Sequence, residues 1–157
     1  MKLISLLAQL ALHLKNRKFE NKSISEASIG WHLIHSLLVI NNITESLLVS
    51  DPNKYVKEDN RVRDIVLTKK QIKRGVAHSP EAVTPGQEIK KGQIKDLLDQ
   101  AKVNVVKFAL IPKHAHFTHY SMGMLKKKEA IKFLIIHTKH HLKIINEIVE
   151  SELVLRS

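Results

Sequence analysis

His137 and His141 stand four residues apart in Ile136-His137-Thr138-Lys139-His140-His141, inside the last long helical run of the chain. A helix turns about 100° per residue, so the two rings share a face, about 6 Å apart along the axis. The same face continues through Ala130, Leu134, Ile144 or Ile145, and Ile148. Two imidazoles are thus set into an apolar, inward stripe. A buried imidazole needs a partner for each ring nitrogen, and one shared metal ion would satisfy both inward nitrogens at once. The competing reading is a chance pair in a chain with ten histidines, each ring capping a nearby backbone group. Two ligands leave a first-row ion under-coordinated, so the metal reading demands a third group.

That group should be an inward His, Asp or Glu on a facing helix, because bundle cores build metal sites from facing side chains. His35 is the best candidate. It shares a stripe with Ser28, Trp31, Leu38 and Asn42. His13 is next, although it follows a helix end, and His32 fits if its helix rotates. The acidic residues fall mostly on polar faces.

Four amphipathic segments must position these rings, near residues 2–16, 25–49, 87–108 and 126–150. Leu3, Leu6, Leu7, Leu10 and Leu14 recur at helical spacing in the first. Gln9, His13 and Lys15 interrupt it, so it is expected to be an amphipathic helix, neither a signal peptide nor a membrane span. Ser23 or Ser25 can cap the second helix, and Asp51-Pro52-Asn53 stops it. Residues 51–86 are long for a plain connection. Arg61 to Lys73 is expected to be a short helix with Val62, Ile65 and Val66 buried, and 59–76 a lid near the open end of the bundle. Residues 113–125 read as a histidine-rich loop with His114, His116 and His119. No alternating strand pattern is visible. The expected fold is a single all-α domain over 1–157, a four-helix bundle.

Composition removes other chemistries. The absence of cysteine excludes disulfides, thiolate metal sites and cysteine nucleophiles. Aromatic residues make up 4% of the chain, which argues against base-stacking platforms for single-stranded nucleic acid. The net charge of +11 is spread evenly, with clusters only around Lys69-Lys70 to Arg74 and at Lys126-Lys127-Lys128. A solvated surface explains it better than a nucleic-acid groove. No glycine-rich phosphate loop or Gly-x-Ser-x-Gly elbow is present. The expected location is cytoplasmic.

The segments Ser28-Ile29-Gly30-Trp31-His32-Leu33-Ile34-His35 and His137-Thr138-Lys139-His140-His141-Leu142-Lys143-Ile144-Ile145 together resemble the DinB-like superfamily of metal-binding four-helix bundles. That family takes one histidine from its second helix and an HxxxH pair from its last, which correspond here to His35, His137 and His141. The run from His119 through Gly123 to Leu125 is similar to a subfamily H-P-x-F-G-x-L loop, but Tyr120 replaces Pro and Met122 replaces Phe. The resemblance implies an up-down-down-up helix order with a long crossover between the second and third helices, and frequent dimers. It also implies thiol-dependent transferase, hydrolase or isomerase activity on small molecules. Some relatives have no established reaction, and a non-catalytic, stress-related metal-binding bundle is the alternative.

Three neutral imidazoles suit zinc or nickel, with iron or manganese also open. Three protein ligands leave an open coordination position, as in catalytic zinc sites, where a bound water or thiol becomes more acidic. Thr138, Lys139 and His140 fill the interval between the paired histidines, so the glutamate base of HExxH metalloproteases is missing. Affinity is expected to fall as pH drops below roughly 6.5, where free imidazole takes up protons.

Overall fold

A computed structural model describes residues 2–75 and 79–154. The chain is mostly helical, with α1 at Lys2–Leu12, α2 at Ile29–Val49, α3 at Arg61–Lys69, α4 at Lys91–Lys107 and α5 at Lys127–Val154. Short 3-10 turns sit at His13–Asn16, Pro52–Lys54 and Glu81–Val83.

The first departure from an all-helical expectation is a hairpin. β1 (His116–His119) pairs antiparallel with β2 (Gly123–Lys126), in the register His116 to Lys126 and His119 to Gly123. Gly123 has φ +65°, the left-handed conformation that closes such a short loop. A Cβ there would also lie 2.8 Å from a Glu58 carboxylate oxygen. Leu125 and Met122 are buried, so the hairpin covers one end of the core. It leads directly into α5, where Glu129 accepts from the Lys126 N–H at 3.0 Å.

Helix starts follow their caps. α2 begins later than expected, with Ser28 as N-cap accepting from the Trp31 N–H at 3.3 Å. Ser25 is left free for another contact. Asn60 caps α3 in the same way, at 2.9 Å from the Arg63 nitrogen. The burial of α3 reverses the expectation: Val62 and Ile65 are exposed and Val66 is half-buried, whereas Arg63 and Leu67 are buried. The Arg63 guanidinium donates to the carbonyls of Glu58 and Met124, with the Asp64 carboxylate 3.6 Å from its Nε, which satisfies its buried donors and ties α3 to β2. A lid role for 59–76 is unassigned; residue 76 lies outside the described residues.

α2 packs on α4 and α5, α1 on the same two helices, and α3 on α5. Their shared core holds Leu7, Leu10, Ile29, Leu33, Leu37, Ile40, Ala101, Leu134 and Ile145, all buried. Between α2 and α4, Asn104 donates to the Asn41 side-chain oxygen at 3.1 Å, and Asn41 donates to the Leu97 carbonyl at 3.1 Å. By length and composition α2 could cross a membrane; here 67% of that apolar window is buried within the fold.

Candidate metal centre

α2 and α5 bring His35, His137 and His141 together. All three are buried, and one ring nitrogen from each lies within 4.8 Å of the others. His137 Nε2 is 3.1 Å from His35 Nε2 and 3.2 Å from His141 Nε2. The expected triad is therefore the one the fold assembles. Two ligands on a tetrahedral ion at about 2.0–2.1 Å would lie roughly 3.3 Å apart, close to these spacings.

The proton count makes the cluster unusual. His35 Nδ1 is 2.8 Å from the Val83 carbonyl, an acceptor only, so Nδ1 carries the proton and donates. In the neutral ring, Nε2 is then a bare lone pair facing His137. If His137 Nε2 carries a proton, it bridges to His35 and cannot also accept from His141. If it carries none, it faces His35 lone pair to lone pair. Neutral rings can therefore bridge only one of the two short contacts well, whereas a cation among them would engage all three lone pairs.

Burial keeps the rings neutral. It holds His137 and His141 well below the usual imidazole pKa, and neighbouring histidines push the same way. Burial also lowers His35, against the raising effect of its bond to Val83. The outer nitrogens differ from ring to ring. His35 has the Val83 carbonyl, His141 Nδ1 lies 2.9 Å from His32 Nδ1, and His137 Nδ1 is buried without a hydrogen-bond partner.

Aromatic rings frame the cluster. Trp31 stacks on His35, and Phe133 lies between His119 and His137, at 5.0 and 5.5 Å between centroids. Comparisons with known proteins add nothing to this geometry. No protein-family model, curated protein or solved structure matches the chain.

The remaining histidines divide clearly. His13 is not among the converging histidines, and its Nδ1 is buried without a hydrogen-bond partner. His140 is half-buried and hydrogen-bonds the Ile72 backbone. His119 Nδ1 accepts from the Ser121 N–H at 3.2 Å, and its ring meets Phe133, which in turn lies beside His137. His78 lies outside the described residues. Sequence reasoning missed the Val83 carbonyl and offered His32 only as an alternative ligand on a rotated helix, whereas it lies against the outer nitrogen of His141. A backbone carbonyl carries no sequence signal. The three-residue spacing of His32 and His35 on α2 was the available hint for the position of His32.

Proposed function

We propose that this chain binds one divalent metal ion through Nε2 of His35, His137 and His141. The observation that carries the reading is the convergence of three buried, neutral imidazole nitrogens whose short contacts protons cannot all bridge. Zinc and nickel suit the donor set best. The four long helices are taken as an up-down-down-up bundle of DinB-like type. The packing of α1 and α2 across α4 and α5 and the long passage from α2 to α4 support this.

Three ligands leave room for a further one, which favours a metal-dependent enzyme of the thiol-dependent transferase or hydrolase class on a small-molecule substrate. The ion would supply Lewis acidity there, making a bound water or thiol more acidic. The chain's own part is to hold the ligand rings neutral and oriented. Arg74, the guanidinium acting on His32 and His140, is already paired with the Glu147 carboxylate at 2.7 Å. The non-catalytic alternative has two observations in its favour. The surface grooves beside α1 and α3 are lined by other residues, and Trp31 covers a ligand ring. A cytoplasmic homodimer belongs to the same proposal by resemblance to such bundles.

Calorimetric titration of the stripped protein with Zn2+ and Ni2+ tests it. One equivalent should bind, and His35→Ala, His137→Ala and His141→Ala should each lose at least about a hundredfold in affinity, more than loss of an outer partner costs. His140→Ala should change little. Unchanged affinity in any of the three ligand variants would refute the assignment. Adding a small thiol to the Co2+-loaded protein separates the two functional classes: a sulfur-to-metal charge-transfer band marks an open position.

A further inference from the structure

We propose that His32 and Ser25 form an outer chain that fixes His141 as a metal ligand, His32 Nδ1 accepting a hydrogen bond from the His141 Nδ1–H and His32 Nε2–H donating in turn to Ser25. The inference rests on the metal reading and assigns the one buried histidine beside the triad that the reading leaves idle.

The geometry is a line of three groups. His141 Nε2 points at the triad. Its Nδ1 lies 2.9 Å from His32 Nδ1. The other nitrogen of His32, Nε2, lies 3.0 Å from the Ser25 hydroxyl. His32 is 3% exposed, so solvent is a poor substitute for either contact.

Metal ligation settles the direction. A metal on His141 Nε2 takes that lone pair, so the neutral ring must carry its proton on Nδ1. That N–H has His32 Nδ1 as acceptor. His32 is then protonated on Nε2 and donates to Ser25 Oγ. Ser25 Oγ also accepts from the Ala27 N–H at 3.2 Å, and a hydroxyl oxygen has two lone pairs for these two donors. Every ring nitrogen along the line is then engaged, and the hydroxyl hydrogen of half-buried Ser25 is left to solvent. The reverse direction, Ser25 donating to His32 and His32 to His141, places a proton on His141 Nε2 and blocks the metal.

The position of Ser25 fits this role. It precedes the start of α2 and pairs with Asn21 in an isolated antiparallel bridge. The α2 cap is supplied by Ser28, so the hydroxyl of Ser25 is not used to start the helix. Partners that hold a ligand histidine in one tautomer raise its basicity and orient the ring, and their loss typically costs 10–100-fold in metal affinity. His32 is thus a positioning residue, acting on the metal through His141.

The test uses the full chain labelled with 15N and loaded with Zn2+. Long-range proton–nitrogen correlation of the imidazole rings should show His141 protonated on Nδ1 and His32 on Nε2, with a coupling between the two Nδ1 nuclei across the hydrogen bond. In parallel, His32→Phe should lose about 10–100-fold in Zn2+ affinity. His32→Asn should recover most of it, because its amide oxygen can occupy the place of Nδ1; His32→Gln, whose amide lies farther out, should not. Circular dichroism and melting of each variant before loading separate this from a folding defect, and a merely structural role would not distinguish Asn from Gln by acceptor position. Zn2+ uptake with His32 protonated on Nδ1, or His32→Phe binding as tightly as the parent, overturns this inference alone. A parent protein that takes up no Zn2+ overturns the metal reading and this inference with it.

Discussion

The indole of Trp31 lies nearly parallel to the His35 imidazole, with ring centroids 4.8 Å apart and planes inclined by 15°. Trp31 is the sole tryptophan of the chain, so its fluorescence reports on one ligand ring. Co2+ or Ni2+ held by His35 should quench most of that emission at one equivalent, and Zn2+ should alter it only slightly. Fluorescence titration checks this. Emission that ignores all three ions at saturating concentration would place the ion elsewhere.

Acid should destabilise the metal-free protein, starting near pH 6.5. Burial lowers His119 from 6.5 to about 4, and its Nδ1 is engaged as an acceptor from the Ser121 N–H. The unfolded chain therefore takes up this proton first. The contribution is fully present above pH 6.5 and is lost as pH falls toward 4, by on the order of 2–3 kcal/mol at 1.36 kcal/mol per pH unit. Urea melts between pH 4 and 7.5 should show a shallower slope for His119→Gln. The same physics bears on the pH profile expected for metal binding. His137 and His141 are held well below 6.5, so proton competition in the folded protein should begin at lower pH than free imidazole suggests.

Gly30 sits one residue before Trp31, where α2 meets the preceding loop. A Cβ at this position would lie 2.5 Å from Ile89 Cγ2 and 2.8 Å from the Arg17 carbonyl. The isoleucine can shift; the carbonyl is fixed, because it accepts from the Gly30 N–H at 2.8 Å. Gly30→Ala should therefore destabilise by about 1–3 kcal/mol, the usual range for overpacking, despite the higher helix propensity of alanine. Chemical denaturation measures it, and a more stable variant would contradict the close approach.

Asn41→Leu should cost about 1–3 kcal/mol, because it leaves the buried Asn104 amide N–H without its acceptor and removes the second donor from the Leu97 carbonyl. Combining it with Asn104→Leu should recover part of the loss. A double-mutant cycle showing strict additivity would mean that the two amides do not interact.

The juxtaposition of His137 and His141 was legible because helical spacing forces them onto one face, whatever surrounds them. His35 was legible through its stripe and through the resemblance. The rotation of α2 was harder to read. Leu33, Ile34, Leu37 and Ile40 are all buried, so the helix is apolar on nearly every side and has no polar face to orient it. His32 therefore looked rotated away, although it touches His141. The hairpin was missed because its strands are only four residues each and His116-Phe117-Thr118-His119 lacks alternating burial. The error in α3 has a similar cause. Arg63 is buried by hydrogen bonds to carbonyls, a possibility that side-chain polarity alone does not reveal.

His35 and His137 are 102 residues apart in the chain, and their Nε2 atoms are 3.1 Å apart in the fold. An ion joining them would act as a removable cross-link in a protein without cysteine. Closing a loop of about 100 residues takes roughly 4.7 kcal/mol of freedom from an unfolded chain in the loop-entropy account of disulfides. A metal link reaches that limit only if it survives unfolding, which imidazole ligands do not ensure. Its benefit instead scales with free ion concentration over the dissociation constant. The melting temperature should then follow available metal, so a chelator would soften the protein and restored metal would stiffen it, without any redox step.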